Sequence, residues 1–238
     1  IMEKKISVII PCFKGSKTIT SVIKKIPKFV NKIYVVDDKC PEKTGFLVKK
    51  KFKNNKKIKV IFRSQNSGVG ASMKNGYTMS LKDKMHISVK IDSDGQMDPS
   101  LIKEFIIPII NDECDYTKGN RFHKFSNLFK MPFKRVVGNI FFSYLAKITT
   151  KNYNIFDVHN GYTAIKNSVL KTINYTNLDN SYFFETHILF KLKNKNKKIS
   201  QIKMQPIYKN EKSNLNDFKV GFQFLLKHFK LLIGKKIN

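Results

Sequence analysis

Short β-branched runs alternate with longer stretches of helical periodicity through the first half of the chain. KISVII (5–10) is apolar almost throughout and stops at Pro11, the pattern of a buried strand. SKTITSVIKKI (16–26) follows with apolar residues at helical spacing and Ser16 placed as its N-cap. The alternation continues: KIYVVDD (32–38) predicts a strand, EKTGFLVKKKFK (42–53) a helix weakened by Gly45, and IKVIF (58–62) a strand. SGVGASMKNGYTMSL (67–81) predicts a glycine turn leading into a helix, HISVKID (86–92) a strand, SLIKEFIIPII (100–110) a helix and DYTKG (115–119) a strand. Strands separated by helices cannot pair through tight hairpins. The pattern therefore implies an α/β fold, a mostly parallel sheet with helices on both faces.

The second half is less regular. FKRVVGNIFFSYLAKI (133–148) and SYFFETHILFKLK (181–193) have helical periodicity, FDVHNGYTAIK (156–166) predicts a loop and strand, and KISQIKMQPIY (198–208) a strand. The last segment, 215–236, has apolar residues at 218, 222, 225, 229 and 232 flanked by lysines. That stripe fits a basic helix lying in a membrane interface, or a helix docking on the core. The expected organisation is one domain over 1–214 followed by this amphipathic helix over 215–238.

At 238 residues and 41% hydrophobic content, the chain suits one globular core. No uncharged run reaches the roughly 18–20 residues that cross a bilayer, and ISVII is too short for a signal peptide. Three scattered cysteines, Cys12, Cys40 and Cys114, suggest reduced thiols. The expected location is cytoplasmic, peripheral on the cytoplasmic face of a membrane.

Charge changes the picture more. There are 46 Lys plus Arg against 17 Asp plus Glu, a net charge of +29, and 43 of the basic residues are lysine. A lysine-covered surface, attraction to anionic lipid, or attraction to nucleic acid would each produce this balance. The lysines are spread and no nucleic-acid motif is present, so no nucleic-acid partner is expected. Against this background Arg63, Arg121 and Arg135, the only arginines, mark positions where a planar, bidentate donor is wanted.

So basic a chain nevertheless gathers three aspartates within seven positions, in VKIDSDGQMDPS (89–100). Asp92 and Asp94 fall at the carboxyl end of the fourth predicted strand, where open parallel sheets bind ligands. Two carboxylates so close call for a cation, and oxygen ligands with the Gln96 amide beside them suit Mg²⁺ or Mn²⁺, which also holds substrate phosphates. Asp98 before Pro99 reads as a helix-start cap. The lone GVG (68–70) follows the third strand and lacks a third glycine, so a dehydrogenase is not indicated.

VIIPCF, VVDD, NSGVGAS, VKIDSDGQMDP, YTKGNRF, NGYTAI and YFFE occur in an order that resembles a family two glycosyltransferase of GT-A fold, over residues 5 to about 215. The resemblance is nearest to polyprenyl-phosphate sugar synthases and bacterial surface-glycan enzymes. It implies that Asp92, Asp94 and Gln96 form the metal and diphosphate motif, with Ser93 between them at the donor. It implies further that Pro11, Phe13, Val36 and Asp38 line the nucleoside pocket, and that Arg121 and Arg135 meet the donor phosphates. Glu185 is implied as a general base at the acceptor, against the plain reading of an acid in a helix's first turn. Asp157 is a second acidic candidate, and His159 lies in the same loop. The sequence departs from the family at Lys14-Gly15, where Asn-Glu is usual, and at Thr163, where arginine is frequent. It departs again near the end, where Lys209 or Lys212 stands in place of an arginine.

The implied reaction is an inverting transfer of a hexose from a UDP- or GDP-type sugar to a lipid-linked acceptor. Asp94 and Arg121 would serve the leaving diphosphate. A polyprenyl phosphate acceptor needs no base, whereas a sugar or glycerolipid hydroxyl would use Glu185. The contrasting class is a basic nucleic-acid-binding protein.

Overall fold

A computed structural model describes residues 4–122, 133–205, 207, 217–234 and 237, with backbone only at 133–137, 139 and 217–220. Seven strands form one sheet: β1 (Ile6–Cys12), β2 (Lys32–Asp37), β3 (Ile58–Phe62), β4 (Ile87–Lys90), β5 (Tyr116–Asn120), β6 (Thr163–Lys166) and β7 (Ile199–Lys203). Their spatial order is β3-β2-β1-β4-β6-β5-β7. All neighbours are parallel except β6, which runs antiparallel to both β4 and β5. The expected α/β class is therefore what the chain adopts.

The described residues form eight α-helices, seven between strands and α8 after the last one: α1 (Ile19–Lys25), α2 (Thr44–Lys51), α3 (Val69–Lys82), α4 (Ile102–Ile110), α5 (Phe133–Thr150), α6 (Asn167–Thr172), α7 (Phe184–Asn194) and α8 (Asp217–Leu232). β1 is buried at every position because helices cover both faces of the sheet. Val8 and Ile10 join one apolar layer with Ile23, Phe105 and Ile106, while Ile9 joins the other with Met73, Tyr77 and Ile188.

Local details depart from the sequence reading at α1 and α2, and α6 lies in a stretch to which that reading assigns no element. α1 begins at Ile19, after Thr18, and Ser16 is not its cap. The Ser16 hydroxyl and amide donate to Glu42 Oε2 instead, at 2.7 and 3.1 Å. In α2, Gly45 is required by a close approach: a Cβ there would lie 2.7 Å from both Asp37 Oδ2 and the Phe62 ring. Its N–H donates to Asp37 Oδ2 at 2.6 Å.

α8 docks through Phe224, His228 and Leu231, which are buried, while Phe222, Leu225, Phe229 and Leu232 of the expected stripe face outward. Phe224 meets Phe142 of α5 and Phe183, with ring centroids 5.6 and 5.4 Å apart. Lys227 ties the same helix to Asp179 at 2.5 Å and to Ser181 Oγ at 3.0 Å. The docking reading therefore holds for the Phe224, His228 and Leu231 face, while the 222, 225, 229 and 232 stripe faces outward.

Candidate active site

The carboxyl ends of β1, β2 and β4 open on the same edge of the sheet, as parallel pairing requires. Phe13 stands 44% exposed just past β1. Pro11 is buried within β1, and Val36 is fully buried in the layer beneath α3, so Val36 supports the site from the core rather than lining an open wall. Asp38 is also buried. It accepts from the Ser67 and Gly68 amides, the latter at 2.7 Å, and pairs with Arg63 Nε at 2.8 Å. These bonds pin the turn that opens α3. Gly68 takes φ 98 there, and a Cβ on Gly70 would lie 2.0 Å from the Asp179 carbonyl, so only glycine lets the turn meet the 179–181 segment.

The turn after β4 packs against the turn after β1. Thr18 Oγ1 donates to the Ser93 carbonyl at 2.6 Å, and a Cβ on Gly15 would sit 2.7 Å from Ser93 Oγ. The Lys14-Gly15 departure is thus built into this contact, with Lys14 at φ 56. Asp94 Oδ1 accepts the backbone N–H of Gln96 at 2.9 Å, across Gly95 at φ 78. Asp98 Oδ1 accepts the Ser100 amide at 3.0 Å and starts the following helical turn, as its sequence context suggests. Asp92 has 31% of its side chain exposed and pairs with Lys90 Nζ at 3.0 Å. Among the described residues no group of three or more His, Cys, Asp or Glu could hold a metal. Two carboxylates on one turn are too few for a closed protein cage, so an ion held there would complete its shell with water and substrate phosphate.

Behind this turn lies a chain of alternating charge. In the sheet register Lys90 on β4 and Lys118 on β5 both pair with Thr163 on β6, so the two lysines share one face. Glu185, in the first turn of α7, receives both: Lys90 Nζ at 2.9 Å and Lys118 Nζ at 3.1 Å. Lys118 Nζ also donates to the Asn160 carbonyl at 2.6 Å. Asn160 Nδ2 donates to Asp157 Oδ2 at 3.1 Å, and Asp157 holds Arg121 through Nε at 2.7 Å and Nη2 at 2.8 Å. The order Asp92, Lys90, Glu185, Lys118, Asp157, Arg121 alternates in sign at every step. Thr163, where the resembled family often carries arginine, sits between the two lysines.

Burial would raise the Glu185 carboxyl, but Lys90 and Lys118 outweigh it and hold the group below the usual glutamate value. Burial likewise opposes Asp157, and Arg121 overrides it downward. Lys90 is held above its ordinary value because Asp92 and Glu185 outweigh its desolvation, whereas in Lys118 desolvation prevails and the ammonium is pulled down. Glu185 is 5% exposed and clamped on both oxygens. That is not the geometry of an open acceptor-side base. His159 is pushed down to about 4 by burial and by Lys118, and its ring packs between Phe142 and Phe224.

The structure therefore brings Asp92, Ser93, Asp94, Gln96, Asp38 and Phe13 to one edge, and links Asp92 to Arg121 and Glu185 through buried partners. Arg135 falls in α5 with its side chain outside the described residues, as are Lys209 and Lys212. Sequence reasoning passed over Lys90, Lys118 and Asn160. The available signal was slight: Lys90 ends the ISVK strand and Lys118 sits within the polar YTKGN strand, both in segments that the alternation assigns to the sheet.

The described residues contain no helix long and apolar enough to cross a membrane. The structure superposes on glucosyl-3-phosphoglycerate synthase from Mycobacterium tuberculosis, crystallised with Mn²⁺, UDP and glucosyl-3-phosphoglycerate, at TM-score 0.70 and 17% identity, covering 98% of this chain and 80% of that one. Staphylococcus aureus TarS in complex with UDP-GlcNAc follows at TM-score 0.57 and 16% identity, covering 95% and 66%. At such identities these neighbours establish the fold. In sequence, the UDP-N-acetylglucosamine–dolichyl-phosphate N-acetylglucosaminyltransferase of Methanococcus voltae is 26% identical over 250 aligned positions, 99% of each protein. The model of glycosyl transferase family 2 matches residues 7–173. With an α/β sheet that opens its paired aspartates at the carboxyl edge, the chain belongs to glycosyl transferase family 2.

Proposed function

We propose that the protein transfers a sugar from a UDP-sugar to a polyprenyl phosphate, with inversion at the anomeric carbon. The observation that carries the acceptor assignment is Glu185. A carboxylate locked between two lysines is poorly placed to take a proton from an alcohol, whereas a phosphate oxygen arrives already ionised. The Methanococcus relative, which uses a dolichyl-phosphate acceptor and a UDP-N-acetylglucosamine donor, supports the same pairing. UDP-N-acetylglucosamine is accordingly the first donor to test.

Asp92, Asp94 and Gln96 would hold Mg²⁺ or Mn²⁺, which supplies Lewis-acid neutralisation of the departing diphosphate when bound. Arg121, held in one orientation by Asp157, would turn its positive charge to the same leaving group. Phe13 and the turn pinned by Asp38 form the nucleoside side of the pocket, with Pro11 beneath. The acceptor phosphate attacks from the opposite face of the sugar. The outward faces of α5 and α8 carry Ile140, Tyr144, Phe222 and Phe229, each more than half exposed. In a chain of net charge +29 these suit peripheral contact with an anionic membrane, where a polyprenyl acceptor resides.

The test is transfer from radiolabelled UDP-N-acetylglucosamine, with Mn²⁺, to a short polyprenyl phosphate and to the matching polyprenol. Label on the phosphate alone is expected. Label on the alcohol would restore Glu185 as a base, and label on neither with any UDP- or GDP-sugar would overturn the reading.

A further inference from the structure

Lys90 is the one lysine in contact with the aspartate turn among the ion pairs of the described residues, and its side chain is 3% exposed. It is fixed from both sides, by Asp92 Oδ1 at 3.0 Å and by Glu185 Oε1 at 2.9 Å. Glu185 is in turn fixed by Lys118. The backbone closes over the pair: a Cβ on Gly161 would lie 2.4 Å from Lys90 Nζ and 2.6 Å from Asp92 Oδ2. The ammonium therefore has little freedom to swing away when a cation approaches the turn.

On the reading above, which this inference presupposes, we infer that Lys90 is a positioning residue of the donor site. It orients Asp92 and, as a fixed positive charge, makes metal binding depend on the nucleotide diphosphate. The formal charges of Lys90, Lys118, Glu185 and Asp92 cancel. A dication at the turn therefore meets no net attraction from these four groups and faces Lys90 at short range. A diphosphate brings the missing negative charge, so metal and nucleotide bind strongly only together. By linkage the coupling is reciprocal: the metal strengthens nucleotide binding by the same factor. A support with no electrostatic role would have the opposite signature, because removing it loosens Asp92 and weakens metal binding.

The sign separates the two cases. Mn²⁺ is titrated calorimetrically into the wild-type protein and into Lys90→Met, each with and without UDP. The wild type is expected to bind Mn²⁺ weakly alone and far more tightly with UDP. Lys90→Met is expected to bind Mn²⁺ without UDP about tenfold more tightly than wild type, with a correspondingly smaller gain from UDP. Lys90→Arg is expected to keep the wild-type coupling. Should Lys90→Met fail to fold, Lys90→Gln drops the charge while keeping a hydrogen-bond donor between the two carboxylates, and is expected to tighten Mn²⁺ binding likewise. Weaker or unchanged Mn²⁺ binding in the neutral variants would overturn this inference alone. If the wild type bound no Mn²⁺ even with UDP, the metal reading itself would fall and this inference with it.

Discussion

The two halves of the sheet, which meet where β4 pairs with β6, build the same edge in different ways. In the parallel half, polar groups are secured largely by nearby backbone. Asp37 accepts the Cys40 and Gly45 amides, and Asp38 accepts those of Ser67 and Gly68 with Arg63 added. In the mixed half, charges are secured by charges from distant parts of the chain: Glu185 by Lys118 and, across the boundary, by Lys90 of β4, with Asp157 and Arg121 beyond. Backbone amides give local, forgiving support to a turn. A buried ion chain gives long-range registration, and it fails sharply when one member is removed.

The largest expected effect separates chemistry from support. Asp94→Asn is expected to lower the transfer rate about a hundredfold or more while leaving the thermal midpoint nearly unchanged, since asparagine keeps the side-chain oxygen that accepts the Gln96 backbone amide. Equal losses of stability and activity would mean that the turn serves folding first.

Next comes stability across the two halves. Glu185→Ala strands two buried lysines and is expected to cost about 3–5 kcal/mol in urea denaturation. Asp38→Ala leaves two amides without their acceptor and takes the carboxylate from a partly exposed arginine that still donates to the Ala71 carbonyl and Asn75, and is expected to cost about 1–3 kcal/mol. If the second equalled the first, the contrast between the halves would collapse.

The pH response should come from the mixed half, where His159, His187 and His228 sit below their ordinary 6.5, each at about 4, chiefly through burial. The unfolded chain binds these protons first, so stability is complete above pH 6.5 and falls as pH drops towards 4. The loss is on the order of 1–3 kcal/mol per histidine across that window. Glu185 and Asp157, held below their usual values, keep contributing above the ordinary carboxylate range and lose their contribution only as pH falls further. Melts at stepped pH check this, and His228→Gln should flatten the curve. A flat profile between pH 7 and 4.5 in the wild type would count against buried neutral histidines.

The smallest effect concerns α8. Phe222 and Phe229 are 63% and 60% exposed, so Phe222→Ser with Phe229→Ser should change stability by less than about 0.5 kcal/mol per site. The same pair should weaken co-sedimentation with anionic vesicles several-fold. Unchanged vesicle binding would remove the membrane role of this face.

The parallel half was readable because its signals are local. A β-branched run ending at Pro11, the acid pair after KIYVV and the DSDG turn each reveal themselves within a few residues. Ser16 misled because the chain takes one more turn before α1, and its hydroxyl found Glu42 on a neighbouring loop. Gly45 looked like a helix defect until the Asp37 carboxylate against it gave the reason. Glu185 was noticed, but its first-turn position says nothing about the two lysines that clamp it. The lysines at 90 and 118 were lost among the other 41.

The sequence alone determined the order of the seven strands and of seven of the eight helices, the clustering of carboxylates on one turn, and an apolar stripe on the last helix. These follow from periodicity, capping and charge proximity over short separations. Only the tertiary structure decided that β6 enters antiparallel between β4 and β5, which sets Lys90 and Lys118 on either side of Thr163 and beneath Glu185. That register is chosen by the packing of the whole sheet, because residues so far apart in sequence have no local interaction to align them.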